Sequence, residues 1–457
     1  MCLKTKNLLF LIITVLFSIA CKPSKTNALA EFSTGKVYPK VQSMADTGIT
    51  YALCLPESYS SGKPHAILVF FDSHGNGLLP VNLFKEDALK NGFILAGSNN
   101  SKNGMTSDQT NAIYRSLIAD LSTRFNLEKK AVYLCGFSGG SRVASGAAIS
   151  EGGVAGVIGC GAGWPNVNEQ PKNPFSYLGV AGEKDFNLTE MKRLDVSLDQ
   201  AGFIHHLLTF DGIHQWPLKE IIPEIITWIR FDAMRQGAFP VDRNLVNVFI
   251  EKNDSYAENL ASRKNFPEQQ QVYIKMLHYL QGLTDVAPLQ KEIERLAGMK
   301  EVKEYNEKQK QLLDLENKLQ AEYSPEIENN TVSWWTKKAG ELHEQADKTS
   351  DKSLAAVYNR LLGYLSLNCY MRSTGALKHG DLVGAEKYVE IYRLVDPENA
   401  EHRYLAAKIA ALKNRNDEAF ECLNQAIALG FKDFNSLKSD PDFKLLQQDN
   451  RFTKLLK

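Results

Sequence analysis

The sequence lacks a surplus of charge of either sign: 53 basic and 53 acidic residues among 457 give a formal net charge of zero. A protein that neutralises a phosphate backbone needs a basic excess, so this balance argues against a nucleic-acid partner. Cysteine is also scarce. The seven cysteines are widely spaced and contain no CxxC pair, which argues against a disulfide framework and a zinc site. Cys54, Cys135 and Cys160 fall in apolar runs and read as small core residues. Neither a metal nor a cofactor is expected.

Long apolar runs are rare too. The run from Leu8 to Ala20, preceded by Lys4 and Lys6, has the length of a signal-peptide core and is too short to span a bilayer. It ends Phe17-Ser18-Ile19-Ala20-Cys21, with small residues at Ser18 and Ala20. A cysteine directly after the expected cut resembles the bacterial lipoprotein box, although Ser18 stands where leucine is usual. Residues 1–20 are read as a signal peptide and 21–40 as a lipid anchor and polar tether, with lipidation at Cys21. This places the protein in the bacterial cell envelope, exported and held to a membrane by its lipid.

Beyond the tether, strand-like and helical patterns alternate. Ala66–Phe71 is a continuous apolar run, as in a strand buried on both faces. Similar short runs recur at Phe93–Gly97, Ala131–Cys135, Val154–Cys160, Tyr177–Ala181 and His205–Phe210, with amphipathic stretches between them. The expected class is α/β, a mostly parallel sheet covered on both faces by helices and spanning residues 41–236.

Strand patterns stop after Pro240, and Gly237–Arg243 has the composition of a linker. A helical region is expected over 245–349. A chain of residues 22–243 is therefore expected to fold by itself and keep its activity; the alternative is that the first helices, roughly 245–282, pack on the sheet domain and cover apolar surface. Lys291–Glu322 reads as one charged helix ended by Pro325. Over 350–457 a 34-residue recurrence is visible: Gly380, Ala385 and Pro397 occupy small-residue and proline positions of a tetratricopeptide repeat, and Ala419 follows Ala385 at that period. Phe431 stands where the next proline belongs, so the segment is tetratricopeptide-like, closed by a capping helix at Asp440–Lys457. Such a region is a candidate surface for a protein partner.

The chemistry concentrates in Gly136-Phe137-Ser138-Gly139-Gly140, between an apolar strand and a helical stretch. That is the setting of a nucleophile elbow, whose tight turn needs small residues at Gly136 and Gly140. A serine hydroxyl is a weak nucleophile and needs a base. His214 follows the last strand and Asp185 follows the strand before it, in the chain order Ser, Asp, His. Glu183 and Asp211 are competitors for the acid. Stabilising an oxyanion takes two backbone N–H groups. Gly139 is expected to supply one. The other comes from the loop Asp72-Ser73-His74-Gly75-Asn76-Gly77, where His74 or Asn76 donates depending on alignment, with His74 preferred.

The elbow, the Asp185 loop and the run His214-Gln215-Trp216-Pro217 resemble the polyhydroxybutyrate depolymerase and feruloyl esterase branch of the α/β-hydrolases, over roughly 41–236. The resemblance implies hydrolysis of a small-molecule or carbohydrate-linked ester. A serine peptidase of the same fold is an alternative reading. A non-catalytic lipoprotein scaffold acting through its helical repeats is another. Residues Gly161–Pro174, with Trp164 and Phe175, are the expected walls of the pocket.

Overall fold

The computed structural model describes residues 31–165 and 171–456. The signal segment, Cys21 and the first part of the tether lie outside these residues. From Glu31 onward the tether reading does not hold. Phe32 is buried against Tyr38 and Phe125, and Val37–Gln42 forms strand β1. β1 is an edge strand that buries only Val41 fully, and a half-exposed edge leaves no clear alternation in the sequence.

The remaining strands are β2 (Thr50–Cys54), β3 (His65–Phe71), β4 (Ile94–Ser98), β5 (Leu127–Phe137), β6 (Gly156–Cys160), β7 (Ser176–Gly182) and β8 (His205–Phe210). They form one eight-stranded sheet in the order β1-β2-β4-β3-β5-β6-β7-β8. β2 runs antiparallel to both neighbours, and the six strands from β4 to β8 are mutually parallel. This is the arrangement of an α/β-hydrolase sheet. β3 shows why its run is apolar throughout: Ala66, Leu68 and Phe70 point into one core, while Ile67, Val69 and Phe71 point into the other. Helices α1 (Leu78–Lys90) and α5 (Ile222–Arg235) cover the first face; α2 (Ser107–Arg124), α3 (Gly139–Ser150) and α4 (Leu188–Gln200) cover the second.

The first core does not stop at the linker. Helices α6 (Arg243–Ser262) and α7 (Phe266–Leu280) contribute Val246, Phe249, Leu260, Met276 and Tyr279 to the cluster that holds Phe231 and Trp228 of α5. Phe249 stacks on Tyr279 with ring centroids 5.2 Å apart, and Phe231 meets Phe249 edge-on at 5.2 Å. Arg235 ties the joint by donating to the carbonyls of His278, Tyr279 and Gln281.

At this joint β8 and α7 bring three histidines together. The Nδ1 atoms of His206 and His278 lie 3.2 Å apart, and the His205 ring is 5.5 Å from that of His278. Burial and neighbouring cations hold His206 well below the ordinary histidine value, and burial and His205 lower His278. His205 goes the other way: burial opposes its charge, but Asp195 and the Phe203 carbonyl outweigh it. Below about pH 6.5 the unfolded chain therefore binds protons that native His206 and His278 refuse, and stability falls as pH falls. His205 offsets part of this, since its raised value favours the fold at low pH. Thermal midpoints measured from about pH 8 down to pH 5 should drop for the native chain and drop less for His206→Gln. Parallel curves would show that this cluster does not control the dependence.

The rest of the chain is helical: α8 (Ala287–Ala297), α9 (Lys300–Asn329), α10 (Val332–Lys348), α11 (Lys352–Lys378), α12 (Leu382–Val395), α13 (Ala400–Leu412), α14 (Asn416–Ala428), α15 (Phe434–Ser439) and α16 (Asn450–Leu455). The expected break at Pro325 does not occur. The chain breaks at Gly298–Met299 instead, and α9 runs through Pro325. Tyr323 and Ile327, on either side of the proline, are buried with Trp335, and this packing offsets the cost of an interior proline, a lost backbone bond plus a ring clash, together roughly 3 kcal/mol. The 34-residue recurrence appears in the backbone. Gly380 (φ 75°) and Asn414 (φ 57°) both turn left-handed after a helix, and Ala385 and Ala419 are fully buried near the start of the next one.

Candidate active site

Ser138 sits between the end of β5 and the start of α3 with φ 54° and ψ −120°. A non-glycine residue in this region stores about 1–3 kcal/mol of strain, which the surrounding chain must hold. The neighbouring glycines are required by distance. A Cβ on Gly136 would lie 2.1 Å from the Gly140 carbonyl oxygen, and one on Gly140 would lie 1.9 Å from that of Phe71. The turn thereby lifts the Ser138 hydroxyl out at the carboxyl end of the sheet.

Two further loops converge on it. His214 Nε2 is 2.9 Å from Ser138 Oγ, and His214 Nδ1 is 2.9 Å from Asp185 Oδ1. With the proton on Nδ1, the ring donates to Asp185 and accepts from the serine. Asp185 is fully buried. Its Oδ1 also accepts from the Asn187 amide at 2.8 Å, and the Asn187 side chain donates to the Gly161 carbonyl at 2.8 Å. Gly161 (φ 63°) makes room for all three groups. A Cβ there would lie 2.9 Å from Phe137, 3.1 Å from Asp185 Oδ2 and 3.2 Å from His214 Cε1.

The imidazole touches two rings, each at a tilt: Phe137 at 4.8 Å and Phe186 at 4.2 Å between centroids. Trp216 packs at a tilt against Phe137, centroids 5.6 Å apart, and donates from Nε1 to Asp72 Oδ2 at 2.9 Å, joining the histidine loop to the loop after β3. Neither acid competitor reaches His214. Asp211 pairs with Lys184 at 2.8 Å, and Glu183 is exposed. His205 and His206 lie on β8 in the cluster described above.

The two residues expected to face the oxyanion differ. Gly139 follows the nucleophile as expected, opening α3. The His74 amide is not free: it donates to Asp72 Oδ1 at 2.9 Å, and the alternative at Asn76 donates to the same oxygen at 3.3 Å. Asp72 closes an Asx-type turn on its own loop, which its sequence position did not signal. Asn103 was not foreseen either. Its side chain lies against the elbow, with Oδ1 1.8 Å from where a Gly139 Cβ would be. Trp164 and Phe175 do not wall a pocket. Both are buried, packed on each other and on Phe203 beneath the sheet's second face.

No family model and no curated relative matches the chain. Solved structures similar to it include a feruloyl esterase module from Clostridium thermocellum complexed with sinapinate, at 12% identity and TM-score 0.34, covering 42% of this chain and 86% of that one. An S-formylglutathione hydrolase from Staphylococcus aureus is similar at 14% identity and TM-score 0.36, covering 43% and 98%. Dipeptidyl peptidase 4 from Porphyromonas gingivalis is similar at 10% identity and TM-score 0.33, covering 43% and 35%.

Proposed function

We propose that the chain is an exported serine hydrolase that cleaves a carboxylic ester through an acyl-enzyme. The observation that carries the reading is the unbroken relay Ser138–His214–Asp185, with both links at 2.9 Å, on a strained elbow. In this mechanism Ser138 Oγ attacks the ester carbonyl while His214 Nε2 takes its proton, and Asp185 stabilises the imidazolium. The oxyanion faces the Gly139 amide. A second donor comes from the loop after β3, where the His74 amide serves once it leaves Asp72 Oδ1. The tetrahedral adduct then expels the alcohol, which takes the proton from His214, and water releases the acid by the same route in reverse.

The test is labelling with a fluorophosphonate, followed by rates on nitrophenyl esters against peptide nitroanilides. Expected is stoichiometric modification at Ser138 and faster ester cleavage. An unlabelled, well-folded protein would sink the reading, and faster amide cleavage would favour a peptidase. Export and lipidation at Cys21 belong to the same proposal and rest on the sequence. Cys21→Ala should move the protein from the detergent phase to the aqueous phase, because one acylated residue carries the membrane affinity. Native protein already in the aqueous phase would refute the anchor. The recurrence over α12 to α14 supports a tetratricopeptide-like reading of the last helices.

A further inference from the structure

Helix α11 comes from the second half of the chain, beginning 138 residues beyond His214 (352 − 214), yet it touches the loop that carries Asp185 at two points. Arg360 Nη1 donates to the Glu183 carbonyl at 3.0 Å. The same guanidinium is fixed by Glu316 of α9, with Nε 3.1 and 3.0 Å from the two carboxylate oxygens and Nη2 2.5 Å from one of them. Both partners are buried, Glu316 at 1% and Arg360 at 8% exposure. One helical turn on, Gly363 faces Phe186. A Cβ at 363 would stand 3.2 Å from the Phe186 Cβ, and the Phe186 ring lies tilted against that of His214, centroids 4.2 Å apart.

A buried ion pair is weak evidence for stability in itself, because desolvation consumes most of the attraction. What it supplies here is a rigid donor aimed at one carbonyl two residues before Asp185. The acid loop has its own ties to the sheet domain, through the Glu183 and Lys184 amides to the Phe210 and Gly212 carbonyls. These fix its base, and the contacts from α11 fix its outer side. A missing side chain at 363 lets Phe186 lie close, and Phe186 then limits how far the imidazole tilts.

We propose that α11 is a positioning element for the catalytic relay: Arg360, held by Glu316, clamps the acid loop through the Glu183 carbonyl, and Gly363 seats Phe186 against His214. The inference rests on the serine-hydrolase reading. It makes Arg360 and Gly363 positioning residues, since neither reaches Ser138, and it makes the helical region a part of the enzyme.

The test uses the full-length chain. In Arg360→Met/Glu316→Met both charges leave together, so no unpaired charge remains buried. In Gly363→Ala helix propensity rises, so the helix should persist, while the new methyl group displaces Phe186. Both should lower kcat on a nitrophenyl ester, and the rate of fluorophosphonate labelling, by about 10- to 100-fold with KM changed less than about twofold. A purely structural role would reduce the fraction of sites that label and leave the labelling rate per active site native. A native labelling rate per active site in both folded variants would overturn the inference. If native protein itself fails to label, the serine-hydrolase reading fails, and that outcome is distinct because it requires no variant.

Discussion

Ser138→Ala is expected to lower kcat by about 10⁴- to 10⁶-fold while the thermal unfolding curve stays close to native. The size follows from the relay. Without Oγ, His214 has no proton to take and Asp185 no imidazolium to stabilise, so the three residues fail together. A residual rate over water should survive, since the Gly139 amide and the binding surface remain. The fold should tolerate the change because it removes one partly exposed hydroxyl. The strain at φ 54° stays, since alanine finds that region no easier than serine does. The check is single-turnover kinetics on an activated ester beside calorimetry of the same sample. Near-native turnover would remove Ser138 from the mechanism whatever its distance to His214.

The elbow was legible because its requirements are local. Gly136, Ser138 and Gly140 are close in sequence, and each glycine is needed by a backbone approach within the same strand–turn–helix unit or its neighbouring strand. His214 and Asp185 were legible by order, since each follows a short apolar strand in a parallel sheet. The parts that stayed hidden depend on pairings across long stretches of chain. Nothing around Gly161 shows that its missing Cβ clears Phe137, Asp185 and His214 together. Nothing around Asp72 shows that its carboxylate takes the His74 amide and the Trp216 indole at once. Glu316 looks like an ordinary charge on a charged helix and Arg360 like a lone charge on a mostly apolar one, and only their shared burial marks them as a pair. Pro325 misled for the related reason that a local rule was overridden by tertiary packing of Tyr323 and Ile327.

A chain cut to residues 22–243 should fail to unfold cooperatively, aggregate at micromolar concentration and show no esterase activity. Its composition suggests the opposite, because Gly237–Arg243 reads as a linker and the sheet is complete before it. The decisive feature is where α6 and α7 place their apolar side chains. Val246, Phe249, Leu260, Val272, Met276, Tyr279 and Leu280 join the same core that holds α5 against the sheet. Removing them uncovers Phe231, now fully buried and in ring contact with Phe249 and Tyr279. Each large apolar side chain returned to water costs about 1.5–3 kcal/mol, and a whole domain is stable by only about 5–15 kcal/mol. The exposed face would also form one contiguous apolar patch, which drives association. Moving the cut to residue 298 separates the two contributions of the helical region. That chain keeps α6, α7 and α8 and should fold with a cooperative transition. It loses α9 and α11, and with them Glu316, Arg360 and Gly363. It should therefore label with a fluorophosphonate, but about 10- to 100-fold more slowly than the full chain. A stable, fully active 22–243 fragment would show that the shared core is dispensable and that the helical region is a detachable module.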